Sequence, residues 1–556
     1  MANEKNSEQA WTRGIFGSFL DRVVGWKFGL PSETCNYKGE PMRIPVSSGL
    51  SRFELAATLY VPLLAKGTAP EGTILVRSPY GRGLPISAGY ARLFASRGYQ
   101  VLFVSCRGTF GSGGEFEPFQ NEVEDGKAVV EWMRQQPWYT GTFATVGPSY
   151  LGFTQWALLT DPPEDMVAAV ISVGPHDFGR TIWETGTLNL DMVGWADHVA
   201  HQEEPYYFVK KILNPNAFRP VLDSIPLVQG VNAAFPKRMP WLETIMTKGD
   251  LKDPHYASMN LDKAVERANI PILLITGWQD IFLGQSMEQY FRLHQRGCNV
   301  ALTVGPWDHQ GGIAPIITQH MHAWVDKYLS KKEEAGRKKP VEYFVSGAEE
   351  WRASTDFPPP TSAYTLHLHA GQKLRCDEPG PESSSSDFIF DPKDPTPAIG
   401  GAQLIGKSGF VDDTAMYTRS DILSFTTDTL DKDIEFIGQP NICLAHSTDN
   451  PYADLFIRIS EVDAKGKSRS ITETYQRLDP ERDMEEEVKL SLRWCAHRFV
   501  KGKKIRVLIA GGSHPHFARN LGVANLDNRG SDTKAVKHTV FHGGVKISRL
   551  IFPVGK

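Results

Sequence analysis

The sequence predicts an α/β fold, a parallel sheet covered on both faces, followed by an all-β sandwich. Short apolar runs that read as strands alternate with helical periodicity across the first half of the chain. These runs lack a polar face, as strands buried between two helical layers do. Beyond about residue 340 the helical rhythm stops, and short strands alternate with turn clusters.

The first strands are Ala56–Val61, Gly72–Arg77 and Gln100–Ser105. Residues Glu122–Gln135 place Val123, Ala128, Val129, Trp132 and Met133 at helical spacing. A strand at Phe143–Val146, a Gly-Pro-Ser turn and an apolar helix at Tyr150–Leu159 follow. Further strands are Val167–Ser172, Pro271–Ile275 and Val300–Val304, with helices at Gln285–Arg296 and Thr318–Leu329. Between Pro175 and Ile270 the alternation gives way to a segment rich in Trp, Tyr, His and Pro. An insertion of that length predicts a helical cap over the site. The charged stretch Lys331–Lys339 reads as a surface link. After it come the strands Tyr343–Val345, Thr365–Leu368, Asp454–Ile459 and Lys504–Ile509 of a jelly-roll-like sandwich. Pro379–Ser386, with four consecutive serines, reads as a mobile loop. The expected division is an N-terminal extension (1–40), a core (41–175 and 271–335), a cap (176–270) and a β-sandwich (340–556).

A chain of 556 residues exceeds one hydrophobic core, so several domains are expected. The net charge of -4 offers no basic footprint for nucleic acid or an acidic membrane. Six scattered cysteines show no C-x-x-C spacing, which argues against a structural zinc site and a disulfide framework. The polar N-terminus has no signal-peptide core, and no run reaches membrane-spanning length. The expectation is therefore a cytoplasmic enzyme without cofactor or metal. Its partner would be a small molecule, neither nucleic acid nor membrane, and a sandwich face could support a homodimer. Gly14–Trp26 reads as a helix packed on the body of the protein; the alternative is an amphipathic membrane-surface helix.

The chemistry centres on Val146-Gly-Pro-Ser149-Tyr-Leu-Gly152, between a strand and a helix. A nucleophilic serine needs a sharp strand-to-helix turn, and glycine two residues before it relieves crowding there. The helix N-terminus adds backbone N–H groups suited to an oxyanion. Serine also needs a base. In an α/β-hydrolase the order is Ser, acid, His. Asp280 follows the strand ending at Ile275, and His309 follows the strand ending at Val304. Both loops open at the sheet edge that carries the serine. Asp308 is a rival acid, but its adjacency to His309 makes the required contact awkward. The expected triad is Ser149, Asp280 and His309.

The amide of Tyr150 is one expected oxyanion donor, and the loop Ser78-Pro-Tyr80-Gly-Arg82 offers another, with the Tyr80 hydroxyl as candidate. Cap aromatics (Trp183, Trp195, Tyr206, Tyr207, Trp241) and Phe282 could line an apolar substrate pocket, core packing being the alternative for each. Gly108–Gly114 lacks the Lys-Ser/Thr ending of a phosphate loop, which argues against nucleotide binding.

Taken together, Ser78–Arg82, Cys106–Gly114, Gly147–Gly152, Gly277–Asp280 and Gly305–His309 resemble the cocaine esterase and X-prolyl dipeptidyl peptidase family, the CocE/NonD-type serine hydrolases. Tyr343–Trp351 and Ser513–Asn520 resemble motifs of that family's C-terminal domain. The resemblance implies an α/β-hydrolase core, a helical cap and a C-terminal jelly roll. It implies the same triad, and Tyr80 with the Tyr150 amide as oxyanion hole. The family pattern Gly-x-Ser-Tyr-x-Gly accounts for the glycine at 152 rather than 151. Two departures stand out: Phe110 where glycine is frequent, and Ile281 where a small residue is frequent. The first 40 residues do not resemble the large N-terminal domain of many prolyl peptidases. The expected reaction is hydrolysis of an ester, or of an amide, through an acyl-enzyme. The alternatives are acyl transfer with the same triad, X-prolyl dipeptidyl peptidase activity, and a binding protein with a disabled site.

Overall fold

The computed structural model describes residues 9–555 except 50, 236–238, 312–313, 333–336, 383 and 405. One eleven-stranded sheet organises the first part of the chain. Its strands are β1 (Trp11–Thr12), β2 (Asn36–Ser48), β3 (Ser51–Leu63), β4 (Thr73–Ser78), β5 (Gln100–Ser105), β6 (Phe143–Pro148), β7 (Met166–Ser172), β8 (Ile272–Gln279), β9 (Val300–Asp308), β10 (Val341–Val345) and β11 (Glu350–Ser354). Their spatial order is β1-β2-β3-β5-β4-β6-β7-β8-β9-β10-β11. Pairing is parallel from β5 across to β10 and antiparallel at both edges.

Side chains of a strand point alternately to opposite faces, and both faces of this sheet are apolar. Leu75, Leu102, Val104, Ile272 and Leu274 join one core, with Val129, Met133, Phe153, Trp156 and Met287 from the covering helices. Their strand neighbours Ile74, Val76, Val101, Phe103, Leu273 and Ile275 join another, closed by Phe94, Ile317, Met321 and Trp324. Short helices between Phe178 and Arg267 form the inserted segment. The C-terminal strands, from Thr361–His369 to Arg549–Gly555, build a second, β-rich unit around Leu368, Phe425, Ile457, Val507 and Phe552.

The structure departs from the sequence reading in several places. Tyr343–Val345 does not begin the sandwich. It lies in β10, which pairs in parallel with β9, so the core sheet continues to Ser354. A short strand after a charged link does not announce its partner; β9 offers an open parallel edge and takes it. The serine-rich stretch is not simply loop: Ser385–Phe390 is a strand. The Ser384 and Ser386 hydroxyls bracket the two ring nitrogens of His542 at 2.8 and 2.9 Å. Part of the charged link lies outside the described residues. Gly14–Trp26 corresponds to a helix, α1 (Ile15–Lys27), which does pack on the body of the protein. It packs through Asp21 and Gly25, with Gly17, Leu20 and Val24 half-buried, while Ile15, Phe16, Phe19, Val23 and Trp26 stay exposed.

One buried ion pair ties the sheet to its helical layer. Arg77 of β4 donates to Glu122 Oε2 at 2.6 Å and to the Glu122 carbonyl at 2.8 Å. The Tyr150 hydroxyl donates to Glu122 Oε1 at 2.7 Å. Burial raises the Glu122 pKa above its ordinary value, while Arg77 pulls the other way. Removing one partner leaves a buried charge without compensation, at a cost of about 3–5 kcal/mol, whereas replacing both with apolar groups is often close to neutral. Arg77→Met is therefore expected to lower the urea midpoint sharply, and Arg77→Met/Glu122→Leu to recover much of the loss. Equal losses in the two variants would contradict this account.

Candidate active site

Ser149 sits between β6 and the helix Tyr150–Leu159, with φ 55° and ψ -121°. This left-handed backbone costs about 1–3 kcal/mol in a non-glycine residue and must be enforced by its surroundings. The neighbouring glycines make room for it. A Cβ at Gly147 would lie 2.5 Å from Cβ of Leu151, and one at Gly152 would lie 2.7 Å from Cα of Gly174. The Ser149 N–H donates to the Ser172 carbonyl of β7 at 2.9 Å, and its carbonyl accepts from Gly152 and Phe153. The turn thus holds the side chain at the C-terminal edge of the sheet.

Asp280 and His309 arrive at the same edge from β8 and β9, whose ends pair Gln279 with Asp308. His309 Nδ1 lies 2.7 Å from Asp280 Oδ1, and His309 Nε2 lies 3.0 Å from Ser149 Oγ. Asp280 is fully buried, and its second oxygen accepts from the Thr276 hydroxyl at 3.1 Å. The Phe282 ring meets the imidazole edge-on at 5.3 Å. Asp308 is engaged elsewhere: it accepts from the Gly311 N–H at 2.9 Å and from the Ser408 hydroxyl.

The Tyr80 ring packs edge-on against Tyr150, and the Trp195 indole N–H donates to the Tyr80 oxygen at 3.0 Å. A phenol that accepts one hydrogen bond still has its own O–H to donate. Burial holds the Tyr80 pKa above its ordinary range, against the pull of hydrogen bonds from Trp195 and Ser149. The Tyr150 phenol is occupied by Glu122 and by the Phe119 N–H. What Tyr150 offers the site is its amide, the first of its helix, which has no acceptor within that helix. Phe110 carries φ 44°, a conformation that glycine adopts without penalty, and its N–H donates to Glu203 at 2.8 Å. A larger residue is tolerated here because the backbone is pinned; Arg82 also donates to its carbonyl, at 2.9 Å.

A narrow cavity opens beside Ser149 and His309. Its walls include Phe119, Phe178, Met192, Trp195, Ile281 and Phe282. Among the described residues that line it, none is acidic and none is Lys or Arg. Phe282 and Trp195 line this cavity. Trp183 does not: it is buried in the core with its indole N–H on the Ile245 carbonyl at 2.8 Å. Tyr206 is 78% exposed, and Tyr207 stacks on His201. Helical spacing places aromatics on a face but does not say which face meets the cavity.

Sequence reasoning misses what the C-terminal unit contributes. Leu404 lines the cavity, and its N–H donates to Asp191 at 2.8 Å. The half-buried Arg493 donates to the Asp280 backbone carbonyl, and the Gln279 side chain donates to the Ile471 carbonyl at 2.8 Å. No local motif marks these residues, because their partners lie up to 213 positions away.

His176, Asp262 and Glu288 form a group whose spacing could hold a metal ion. His176 Nε2 lies 3.5 Å from Asp262 and 3.6 Å from Glu288. However, Arg292 already donates to those same carboxylate oxygens, at 2.5 and 3.1 Å, and Arg180 donates to Glu288 at 2.6 Å. The carboxylates are neutralised within the protein, so the group reads as an ion-pair network.

Residues 51–311 match the family model described as X-Pro dipeptidyl-peptidase (S15 family), and residues 333–551 match that of the X-Pro dipeptidyl-peptidase C-terminal non-catalytic domain. The chain belongs to this family of serine hydrolases. It is 26% identical to the cocaine esterase of Rhodococcus sp. (strain MB1 Bresler), over 92% of this chain and 98% of that one. An aminopeptidase from a marine sediment archaeon (Thaumarchaeota) shares its fold with a TM-score of 0.79 at 18% identity, covering 95% of this chain and 98% of that one. An α-amino acid ester hydrolase does so with a TM-score of 0.77 at 19% identity and the same coverage. No helix among the described residues is long and apolar enough to cross a membrane.

Two expectations arise from this site. Arg493→Met removes the donor that holds the Asp280 carbonyl. Small displacements of a reacting group can cost up to about 100-fold in rate, so turnover of an aryl ester should fall toward that limit with little change in thermal stability. Unchanged turnover would discount the contact. His176 gives a pH signature. Burial alone would lower its pKa, but Asp262 and Glu288 outweigh burial and raise it above the ordinary histidine value. A raised folded-state pKa contributes stability that is fully present below the unfolded value, about 6.5, and is lost as pH rises through the folded value. The stability gap between the natural chain and His176→Gln should therefore be widest in mild acid and narrow on alkalinisation, as denaturant titrations across pH would record.

Proposed function

We propose that Ser149, His309 and Asp280 act as nucleophile, base and orienting acid in hydrolysis of an ester whose acyl group is small, neutral and apolar. The observation that carries this reading is the unbroken line of contacts Asp280 Oδ1–His309 Nδ1 at 2.7 Å and His309 Nε2–Ser149 Oγ at 3.0 Å. His309 Nε2 takes the hydroxyl proton as Ser149 Oγ attacks the ester carbonyl carbon. Asp280 fixes the imidazole tautomer and stabilises the imidazolium. The tetrahedral oxyanion receives the Tyr80 O–H and the Tyr150 N–H. His309 then gives its proton to the leaving alcohol, and an acyl-serine remains. Water, deprotonated by the same imidazole, attacks it and releases the acid.

The substrate class follows from the cavity. Its aromatic and aliphatic walls favour an apolar acyl group. An aminoacyl or dipeptidyl substrate brings an ammonium group, and no acidic side chain among the described lining residues is there to meet it. Burying an unpaired charge is costly, so such substrates are disfavoured. In the same reading the hydrolase core runs through residue 354, the cap spans 176–270, and the remainder is the β-sandwich.

Ser149→Ala is expected to abolish both aryl-ester turnover and labelling by a fluorophosphonate. Retained labelling would move the nucleophile elsewhere. Tyr80→Phe should lower kcat on the order of 10²–10³-fold with the fold intact. In a paired assay, benzoyl and short aliphatic esters should be turned over far faster than glycyl-prolyl anilides. The reverse order would replace the ester reading by a peptidase one.

A further inference from the structure

Helix α1 is built inside out. On its inner side Gly17, Asp21 and Gly25 recur every four residues, which places them on one face. Asp21 is buried there. It accepts from Arg13 at 3.1 Å and from the Tyr37 hydroxyl at 2.8 Å, and it pairs with Arg92 at 3.0 Å. The glycines let the helix lie close against two arginines: a Cβ at Gly25 would come 2.7 Å from the Arg97 guanidinium, and one at Gly17 would come 3.1 Å from that of Arg92. Leu20 and Val24 are half-buried, and the outer side carries the other five large apolar residues. Ile15 is 92% exposed, Trp26 82%, Phe16 67%, Phe19 65% and Val23 42%. A water-facing helix normally has the opposite arrangement.

The charges around this face select its occupant. At a helical angle of about 100° per residue, Arg22 and Lys27 flank the apolar arc on its two sides. Lys27 is exposed, and Arg22 remains 72% exposed even though it reaches Glu33 at 3.3 Å. The only acidic residue of the helix, Asp21, is turned inward. A two-fold contact with a second copy would bring like cations together with no exposed acid on the helix to meet them. Aromatic and aliphatic side chains bordered by Lys and Arg are instead the pattern of a helix lying in the plane of a bilayer interface.

We propose that α1 docks this protein onto an anionic lipid surface. Phe16, Phe19 and Trp26 enter the headgroup–acyl boundary, and Arg22 and Lys27 meet lipid phosphates. The Asp21 ion pairs hold the helix to the body with its apolar side outward, so the surface is preformed rather than folded on contact. The chain's overall charge of -4 does not oppose this, because charges beyond roughly 8–10 Å are screened at physiological salt.

The test is co-sedimentation of the full chain with phosphatidylcholine vesicles, with and without phosphatidylglycerol. The protein is expected to pellet with the anionic vesicles, and the bound fraction should fall as salt is raised. Phe16→Ser/Phe19→Ser/Trp26→Ser should weaken binding at least about ten-fold, because it removes the buried apolar area. Lys27→Glu should weaken it further at low salt. All three positions of the triple variant are exposed, so its unchanged turnover of a soluble ester serves as the folding control. Absence of vesicle binding by the natural chain, equal binding to neutral vesicles, or undiminished binding of the triple variant would each overturn the proposal. A change of oligomeric state in the triple variant, without vesicle binding by the natural chain, would overturn it in favour of self-association.

Discussion

Ser149 occupies a backbone conformation that an isolated serine would leave, and the architecture around it keeps it there. With φ at 55°, the residue needs a parallel strand arriving on one side, a helix departing on the other, and open space on both flanks. Gly147 clears the first flank from Leu151, and Gly152 with Gly174 clears the second. The hydrogen bond from the Ser149 N–H to β7 locks the turn onto the sheet. Strain of this kind is stable only where its surroundings over-determine it. The fully buried strands of the sheet provide that stiffness, because packed interiors resist displacement.

Around this turn Arg77, Glu122 and Tyr150 form one buried polar junction. Arg77 lies three residues before Tyr80, and Tyr150 follows the serine. Both side chains meet on the Glu122 carboxylate. The two loops that carry the proposed oxyanion donors are therefore fastened to a single buried anion. Breaking any part of that junction leaves an uncompensated charge or phenol in a medium that penalises it. On the other side of the serine, the imidazole is held between Asp280 and the Phe282 ring. The Asp280 main chain is in turn held by Arg493 of the distant β-rich unit.

That unit does more than flank the hydrolase core. Leu404 supplies part of the cavity wall, Ser408 holds Asp308 away from the imidazole, and the Ile471 carbonyl accepts from Gln279 at the end of β8. It thereby constrains the geometry of the site without presenting a nucleophile or base of its own. Helix α1 lies apart from this machinery. There the buried Asp21, paired with Arg13 and Arg92, lies on the inner face of the helix, and the aromatic residues face outward.

Most of the core was legible in the sequence, because a strand buried on both faces and a strongly apolar helix announce themselves locally. Gln100–Ser105 and Tyr150–Leu159 have the same bounds in the sequence reading as in the structure. The order of serine, acid and histidine, each at a strand end, placed Ser149, Asp280 and His309 on one edge of the sheet before any coordinates. The strand at Tyr343–Val345 was legible but its partner was not, since the five residues of β10 do not say which sheet they join. Trp183 and Trp195 look alike in sequence, yet one bonds the Ile245 carbonyl and the other the Tyr80 hydroxyl. Short-range pattern by itself determined the elements, their faces and the chemistry at each strand end. Only tertiary structure decided which apolar faces meet the cavity, which meet solvent, and how Leu404 and Arg493 reach the site. Those choices depend on distances between segments hundreds of residues apart, which local periodicity does not encode.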